Sequence, residues 1–393
     1  MARKKETVKE VSNFNLQKVT TNELSEHIST CIQTGKNLAV FGRRGTGKTE
    51  IAKDVIKTMP AENGKRYEEV YINLSVLERV DMGGYPDMLS PARGENFVKF
   101  MLPSMYEKMI VPSDVKIVAL LDEVDKADPS LWAPLLEFTQ FRSINGRALP
   151  NLQAVLMTGN LIAEGGQRPS LPLLDRAEKY LVEADAKQWL DWNGKTQRAH
   201  PSVAAYIFDN PLHLYGPIDA DDRYADSSPR SWINFSDILF KGEQLGWSNE
   251  LLIQKAAGYL GKEVATQYEF YFKYYRSLLP LVEKIFSPKG NLKEIKREHD
   301  ALKTESEKFV LSMTVCTRLA TKMDQSAKDL EQAMESVINF FLNVSNTERW
   351  IPAARTQLTQ ARILDYLNHP VFGPYLEKIR MQVLGFKKEH SGK

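Results

Sequence analysis

Apolar residues in the first 184 positions fall into short runs that alternate with stretches of helical spacing. The runs have the length of β-strands and predict five of them, over residues 37–41, 69–74, 115–121, 154–158 and 179–182. Between them, apolar positions at helical spacing predict helices over residues 49–59 and 131–141. Strands that alternate with helices are typical of a doubly wound α/β domain with a parallel sheet.

Local signals mark where several elements begin and end. Thr20 and Glu23 have the spacing of a capping box, so a first helix is predicted to begin near Thr20 and to end at Gly35. Asn145 and Gly146 form the strongest short signal for a β-hairpin. Residues 81–90 are predicted to be a loop because of their glycine and proline content.

Beyond residue 184 the strand signals fade and helical spacing dominates. Helices are predicted over residues 201–208, 250–260, 262–277, 330–341 and 356–367, and Ser228 with Pro229 opens one more. We therefore predict an α/β core over residues 1–184, an α-helical domain over residues 185–280 and a C-terminal helical region over residues 281–393.

Composition narrows the class of protein without identifying it. The 393 residues are 42% hydrophobic and 26% charged, and the net charge of +2 gives no strong field to attract nucleic acid or anionic membranes. Cys31 and Cys316 stand far apart and in no metal-binding or redox spacing, which suits a reducing compartment. We see no signal peptide and no apolar run long enough to cross a bilayer, so we expect a cytoplasmic protein without a membrane span.

Directly after the first predicted strand, residues 42–49 fit the phosphate-binding pattern G-x-x-x-x-G-K-[ST] at every fixed position. The glycines allow a tight bend whose backbone N–H groups face one anion, and the N-terminus of the following helix adds partial positive charge. Lys48 would reach the outer phosphates of a nucleotide, and the Thr49 hydroxyl would bind Mg²⁺. The predicted nucleotide-binding residues are Gly42, Arg43, Arg44, Gly45, Thr46, Gly47, Lys48 and Thr49.

An acidic pair, Asp122 and Glu123, follows the apolar run of residues 115–121. In a parallel sheet this is the edge where ligands bind, so Asp122 can complete the Mg²⁺ shell with Thr49. Glu123 is placed to orient or deprotonate an attacking water. A solvated acidic turn is the alternative interpretation, and the phosphate-binding pattern upstream favours the catalytic one. Asn160, after the fourth strand, brings an amide to the same edge.

Five segments, in order and spacing, resemble the motifs of AAA+ ATPases of the MoxR branch, including relatives encoded beside von Willebrand factor A-type proteins. They are residues 42–49 (Walker A), 120–123 (Walker B), 158–160 (sensor 1), 174–176 (the arginine-finger segment) and 228–232 (sensor 2). The hairpin at Asn145 and Gly146 resembles an insertion of this branch. The likeness covers roughly residues 20–277. It implies a P-loop AAA+ core with a parallel five-stranded sheet, followed by an α-helical lid and an extra C-terminal helical region.

The resemblance also implies roles for single residues. The family forms rings, usually hexamers, with ATP bound between protomers. Asn160 would help to hold the attacking water, and Arg176 would enter the neighbouring protomer's site as an arginine finger. Arg230 would contact the γ-phosphate from the lid of the same protomer, so that hydrolysis moves the lid.

One departure from the family bears on the finger. The family commonly has phenylalanine after this arginine, whereas Ala177 follows Arg176. Arg168 and Arg223 therefore stay open as alternative fingers. For Arg176 and Arg230 alike, a surface salt bridge is the alternative role.

The primary hypothesis is an ATP- and Mg²⁺-dependent motor that forms a homo-oligomeric ring and remodels a protein partner, such as a von Willebrand factor A-type protein. A second hypothesis is an assembly or scaffold protein with vestigial turnover. A third is a nucleic-acid motor or loader, against which the near-zero net charge counts. Tyr85 could grip a substrate in a central pore, although a turn residue packed on its own loop is the favoured interpretation. The aromatic residues within 268–275 favour burial between domains or protomers over stacking with nucleic acid.

Overall fold

The computed structural model describes residues 16–89, 91–94, 99–162, 167–183, 185–196, 198–216, 227–287, 290–324 and 329–345. The chain divides into two units, Met1–Ala184 and Asp185–Lys393. The helix predicted over residues 356–367 lies outside the described residues. Among the helices that are described, none is both long enough and apolar enough to pass through a membrane.

The first unit is organised around a parallel sheet. Its described strands are β1 (Gln17–Val19), β2 (Asn37–Gly42), β3 (Arg66–Asn73), β4 (Tyr85–Pro86), β5 (Phe100–Met101), β6 (Val115–Asp122), β7 (Ser143–Ile144), β8 (Arg147–Ala148), β9 (Leu152–Asn160) and β10 (Glu178–Val182). Six of them form the sheet in the order β1-β10-β2-β9-β6-β3, and every neighbouring pair is parallel. β4 pairs with β5 and β7 with β8, both antiparallel. The predicted α/β class with a parallel sheet is confirmed.

The predicted count of five strands is wrong, because the sheet has six. The additional strand is β1, which lies at the edge of the sheet and pairs with β10. It is three residues long, with Gln17 and Lys18 exposed and Val19 buried. So short a segment has no hydrophobic periodicity, and its strand conformation depends on pairing with a distant part of the chain.

Helices cover both faces of the sheet. Those described in the first unit are α1 (Thr21–Thr34), α2 (Lys48–Thr58), α3 (Arg79–Gly83), α4 (Glu107–Ile110), α5 (Trp132–Phe141) and α6 (Leu171–Leu174). Successive side chains of a strand point to opposite faces. In β2, Leu38 and Val40 belong to the hydrophobic cluster that includes α1 and α2, whereas Ala39 and Phe41 belong to the cluster that includes α5. Both faces of the central strand are therefore buried, as its apolar run predicts.

The local signals at α1 and at one hairpin agree with the structure. Thr20 and Glu23 form the capping box of α1, and Gly35 ends the helix in the left-handed conformation. The turn at Asn145 and Gly146 joins β7 to β8. These signals are local, so they need no knowledge of the tertiary structure.

Residues 81–90, predicted to be a loop, contain the end of α3 and the strand β4. Asp81 completes a capping box in which its carboxylate accepts a hydrogen bond from the backbone N–H of Glu78 at 2.8 Å. Gly84 follows with a φ of 80°. A Cβ at Gly84 would lie 2.5 Å from the carbonyl oxygen of Met101, so this glycine permits the close pairing of β4 and β5.

The second unit has a helical core. Its described α-helices are α7 (Ala186–Thr196), α8 (Pro201–Asp209), α9 (Pro229–Leu245), α10 (Asn249–Leu260), α11 (Lys262–Phe286), α12 (Leu292–Asp300), α13 (Glu305–Asp324) and α14 (Leu330–Asn343). Residues from α7 to α14 share one hydrophobic cluster. α11 passes its predicted end at residue 277 and continues through Pro280. The domain boundary predicted at residue 280 therefore lies inside a helix, and the residues on both sides of it pack into the same cluster.

The aromatic residues of α11 contribute to the core of this unit. Tyr268, Phe272 and Tyr275 are buried, whereas Phe270 is exposed. The ring of Tyr206 on α8 packs edge-on against Tyr268 with centroids 5.6 Å apart. The expectation of burial is correct for three of these side chains, but the burial lies within the unit itself rather than between domains.

The end of β2 leaves no room for a side chain. A Cβ at Gly42 would lie 2.7 Å from both Cγ1 and the carbonyl oxygen of Val182 on β10. We expect Gly42→Ala to lower the free energy of unfolding of the first unit by roughly 1–3 kcal/mol, because the added methyl group forces β2 and β10 apart. Urea denaturation followed by circular dichroism measures this change.

Gly258 supplies the matched control, because a Cβ there would meet no heavy atom within 4 Å. It lies inside α10, so Gly258→Ala should leave stability unchanged or raise it by up to about 1 kcal/mol. Equal stability of the Gly42→Ala variant and the unmodified protein would contradict the packing argument.

Candidate functional site

The phosphate loop, residues 42–49, joins the buried strand β2 to α2. Gly45 and Gly47 have φ values of 74° and 84°, in the left-handed region that favours glycine. Gly47 is also the N-cap residue of α2, so the chain passes from the bend directly into the helix. The first N–H groups of an α-helix have no acceptor within it and carry partial positive charge. The loop therefore presents donors suited to an anion such as a phosphate group.

The side chain of Lys48 connects this loop to β9 through hydrogen bonds. Its side chain is buried, and Nζ donates to the carbonyl oxygens of Gly42 at 3.0 Å and Arg43 at 2.9 Å. It also donates to Oδ1 of Asn160 at 3.2 Å. A buried ammonium group needs acceptors of this kind. Lys48 and Asn160, both predicted site residues, are thus neighbours in space.

The carboxylate of Asp122 accepts hydrogen bonds from several elements. The Thr49 hydroxyl donates to both carboxylate oxygens at 3.2 Å. The Tyr71 hydroxyl donates to Oδ2 at 3.0 Å, and the Thr158 hydroxyl donates to Oδ1. The backbone N–H of Glu123 donates to Oδ1 at 3.0 Å. The structure therefore brings Thr49 and Asp122 together as predicted, and adds two hydroxyl donors that sequence analysis did not identify.

Glu123 adopts a left-handed backbone conformation, with φ 56° and ψ 41°. This region is unfavourable for a residue other than glycine, and residues held in it cluster at functional sites. Its carboxylate accepts a hydrogen bond from Nζ of Lys126 at 2.7 Å. That hydrogen bond, together with one from the Ser75 side chain, lowers the pKa of Glu123. In this structure the predicted base is therefore ionised at neutral pH and bound by neighbours from its own chain.

Asp125 fixes the end of β9. It is almost completely buried, and its Oδ1 accepts a hydrogen bond from the backbone N–H of Asn160 at 2.9 Å. Its other carboxylate oxygen has no hydrogen-bond partner among the described residues. Sequence analysis missed this role, although Asp125 belongs to the same acidic run as Asp122 and Glu123.

Arg176 lies at the amino-terminal ends of the strands, whereas the phosphate loop follows a carboxyl-terminal end. Its carbonyl oxygen accepts a hydrogen bond from Nδ2 of Asn37 at 2.9 Å, and Asn37 begins β2, whereas Gly42 ends it. The length of that strand corresponds to a separation of about 17 Å. The guanidinium group donates to Oε1 of Gln140 from Nε at 2.8 Å and from Nη2 at 2.6 Å, and to the carbonyl oxygen of Pro172 from Nη1. The structure therefore does not bring Arg176 to the phosphate loop of its own chain.

The other predicted arginines lie elsewhere. Arg230 is exposed in the first turn of α9, in the second unit, where Ser228 is the N-cap residue and Pro229 follows it as predicted. Arg168 is exposed shortly before α6. Arg223 lies outside the described residues.

The donor set at the loop fits Mg²⁺. This ion prefers oxygen ligands and is usually held by one or two protein side chains together with water and substrate phosphates. Thr49 and Asp122 supply a hydroxyl and a carboxylate in contact with each other. Within the described ranges, no group of three or more His, Cys, Asp or Glu residues could hold a metal ion alone. These residues therefore suit an ion that arrives with a phosphate-bearing ligand.

No family model matches the sequence, and no curated protein matches it. Solved structures that resemble the chain include three of NtrX from Brucella abortus. The complex with ADP has 14% identity and a TM-score of 0.32, over 65% of this chain and 64% of that chain. The complex with ATP has 15% identity and a TM-score of 0.35, over 74% and 66%. A third NtrX structure has 14% identity and a TM-score of 0.31, over 92% and 67%.

The chain thus spans about two thirds of the length of these NtrX chains.

The contact between Asp125 and Asn160 can be tested by two substitutions at one position. Asp125→Ala leaves the partly buried N–H of Asn160 without its acceptor and should lower the free energy of unfolding by about 1–3 kcal/mol. Asp125→Asn retains an acceptor oxygen and should lower the free energy of unfolding by less. Urea denaturation of both variants measures the difference. If Asp125→Ala were as stable as the unmodified protein, the hydrogen bond would not hold the end of β9.

Proposed function

We propose that this protein is a magnesium-dependent ATPase of the AAA+ type. One observation carries the proposal: Lys48, Thr49, Asp122 and Asn160 come from three elements and meet at the carboxyl edge of a parallel sheet. Ligands bind at this edge in open α/β sheets. The phosphate loop and the N-terminus of α2 add anion-binding groups at the same place.

Each residue has a chemical task in this proposal. The loop N–H groups and Lys48 bind the phosphates, and Thr49 with Asp122 would hold Mg²⁺, which neutralises phosphate charge when bound. Hydrolysis joins a water oxygen to the γ-phosphorus and breaks the bond to the β,γ-bridging oxygen, which leaves with ADP. Asn160 accepts from Lys48 through Oδ1, so its Nδ2 can donate a hydrogen bond to that water.

Glu123 is the proposed base that orients the water and accepts its proton. In this structure its carboxylate is bound to Lys126 and to Ser75, so it has to leave these partners before it can act.

The substitution Glu123→Gln tests the assignment. The amide keeps the size of the side chain and cannot accept a proton, so ATP binding should persist while turnover falls by about 10²–10⁴-fold. Glu107→Gln, in the first turn of α4, is the control and should hydrolyse ATP at the unmodified rate. Binding of a fluorescent ATP analogue and release of phosphate measure the two properties.

Turnover by Glu123→Gln at the unmodified rate would contradict the role of the base. Negligible hydrolysis by the unmodified protein, at concentrations where it assembles, would favour a nucleotide-gated scaffold with vestigial turnover instead.

The finer proposal, a ring of the MoxR type with Arg176 as finger, is supported by the position of this arginine. It lies at the amino-terminal ends of the strands, away from the phosphate loop of its own chain. From there it can act only on another protomer. Arg230 keeps its proposed contact with the γ-phosphate, and its exposure leaves the guanidinium group accessible. A hexameric ring follows from the resemblance, and the cytoplasmic location follows from the sequence features given above. Both are part of the same proposal.

A complementation experiment tests whether Arg176 acts on a neighbouring protomer. Lys48→Ala removes the phosphate contact of its own site, and Arg176→Ala should lower turnover about 10³-fold or more by removing the finger. Co-expression of the two variants should restore activity, because Lys48→Ala subunits supply the finger to Arg176→Ala sites. Steady-state phosphate release by the purified mixed assemblies measures it.

The control pairs Lys48→Ala with Glu123→Gln, which both damage their own site, so mixing should restore nothing. Arg168→Ala alone should be fully active unless Arg168 is the finger. Equal activity of Arg176→Ala and the unmodified protein would contradict the assignment.

A protein partner is the proposed substrate of the motor, in preference to nucleic acid. The pair β4–β5 carries exposed apolar side chains, among them Tyr85, Phe100 and Met101, and Met88 next to β4 is exposed as well. Exposed apolar groups gathered in one segment are typical of protein contacts. Tyr85 is 52% exposed, so the interpretation that it packs on its own loop is not supported. A von Willebrand factor A-type partner stays part of the proposal through the resemblance alone.

A further inference from the structure

Tyr71 contacts the site although it belongs to no motif. It lies on β3, in register with Leu120 of β6, and its hydroxyl reaches the end of that neighbouring strand. The hydroxyl donates to Oδ2 of Asp122 at 3.0 Å. The side chain is 43% exposed. What distinguishes it is the hydrogen bond to the Asp122 carboxylate.

The donors to Asp122 divide unequally between its two oxygens. Oδ1 accepts from the Thr158 hydroxyl, from the backbone N–H of Glu123 and from the Thr49 hydroxyl. Oδ2 accepts from Tyr71 and, among the described residues, otherwise only from Thr49. A hydroxyl has a single proton, so Thr49 can direct it fully to only one of the two carboxylate oxygens at a time. Tyr71, in contrast, donates to Oδ2 alone.

The ring of Tyr71 is itself held in place by α2. Nζ of Lys53 lies 4.7 Å from the ring centroid, a cation–π distance. Lys53 follows Thr49 by one helical turn, so both face the same side of α2. Tyr71 therefore connects the helix that carries one proposed magnesium ligand to the carboxylate that is the other.

We propose that Tyr71 is a positioning residue for magnesium, one that fixes the rotation of the Asp122 carboxylate. The inference rests on the proposed function, because it requires that nucleotide and Mg²⁺ bind together at the phosphate loop. Partners that orient a metal ligand typically change metal affinity by about 10–100-fold when removed. Tyr71→Phe should therefore raise the Mg²⁺ concentration at which the Mg²⁺-dependent gain in nucleotide affinity is half-maximal, by a factor in that range.

The test measures the affinity for a fluorescent ADP analogue in EDTA and over a Mg²⁺ titration, in the full chain. For Tyr71→Phe we expect unmodified affinity in EDTA and a Mg²⁺ titration shifted to higher concentration by roughly 10-fold or more. A general loss of structure would weaken binding in EDTA as well, so the split between the two conditions separates positioning from folding. Phenylalanine retains the ring beneath Lys53, and only the hydroxyl is removed.

Tyr67→Phe is the matched control. Tyr67 lies on the same strand, its hydroxyl donates to a carboxylate oxygen of Glu62 at 2.7 Å, and Nζ of Lys116 lies 5.7 Å from its ring centroid. The contact is of the same kind but involves no site residue. In Tyr67→Phe, both the affinity for the ADP analogue in EDTA and its dependence on Mg²⁺ should therefore be unchanged.

The possible outcomes separate the two proposals. If the unmodified protein binds the ADP analogue more tightly with Mg²⁺ and Tyr71→Phe has the same titration, the role of Tyr71 is refuted and the ATPase proposal stands. An equal shift in Tyr71→Phe and Tyr67→Phe also refutes it, because the effect then does not pass through Asp122. If the unmodified protein does not bind the analogue under either condition, both proposals fail.

Discussion

The hydrogen bonds to the Asp122 carboxylate are the interaction on which the site depends. A partly buried carboxylate has to be compensated by donors, because an unpaired charge removed from water is costly. Its side-chain donors come from three elements: Thr49 on α2, Thr158 on β9 and Tyr71 on β3. They can meet only if β3, β6 and β9 are adjacent and parallel, as the sheet order has them. One side chain thus couples the topology of the sheet to the position of the phosphate loop.

The position of β9 between β2 and β6 has a second consequence. It places Asn160 between the phosphate loop and the acidic run, where Lys48 donates to its side chain and Asp125 accepts from its backbone. Close packing of the neighbouring strands makes this possible. A Cβ at Gly159 would lie 2.8 Å from Cε1 of Phe41 on β2, so a larger residue would push the two strands apart. The polar contacts of Asn160 therefore depend on a neighbouring glycine that takes no part in them.

Much of the fold and of the candidate site was predictable because it is encoded in contiguous patterns. The phosphate loop, the strand before it and the helix after it occupy consecutive residues, so both pattern and context are visible in the sequence. The contacts of Tyr71 and Asp125 are different, since they join residues 51 and 35 positions apart. Nothing local to a half-exposed tyrosine on a strand indicates which carboxylate it will reach. Two other features were not predicted for the same reason. β1 depends on its pairing partner β10, and the continuation of α11 through Pro280 depends on packing in the second unit.

The positions of Glu123 and Arg176 bear on what one chain can do alone. The carboxylate proposed as base is held by Lys126 and by Ser75, and the arginine proposed as finger lies about a strand's length from the phosphate loop. The groups proposed to bind phosphate are assembled within the chain, whereas those proposed to act on the reacting atoms are not. On the proposed function, nucleotide binding would need only the folded chain, whereas turnover would need Glu123 to be released from Lys126 and a second copy to supply Arg176. If the proposed function holds, hydrolysis is coupled to assembly because the two halves of the chemistry lie at opposite edges of one sheet.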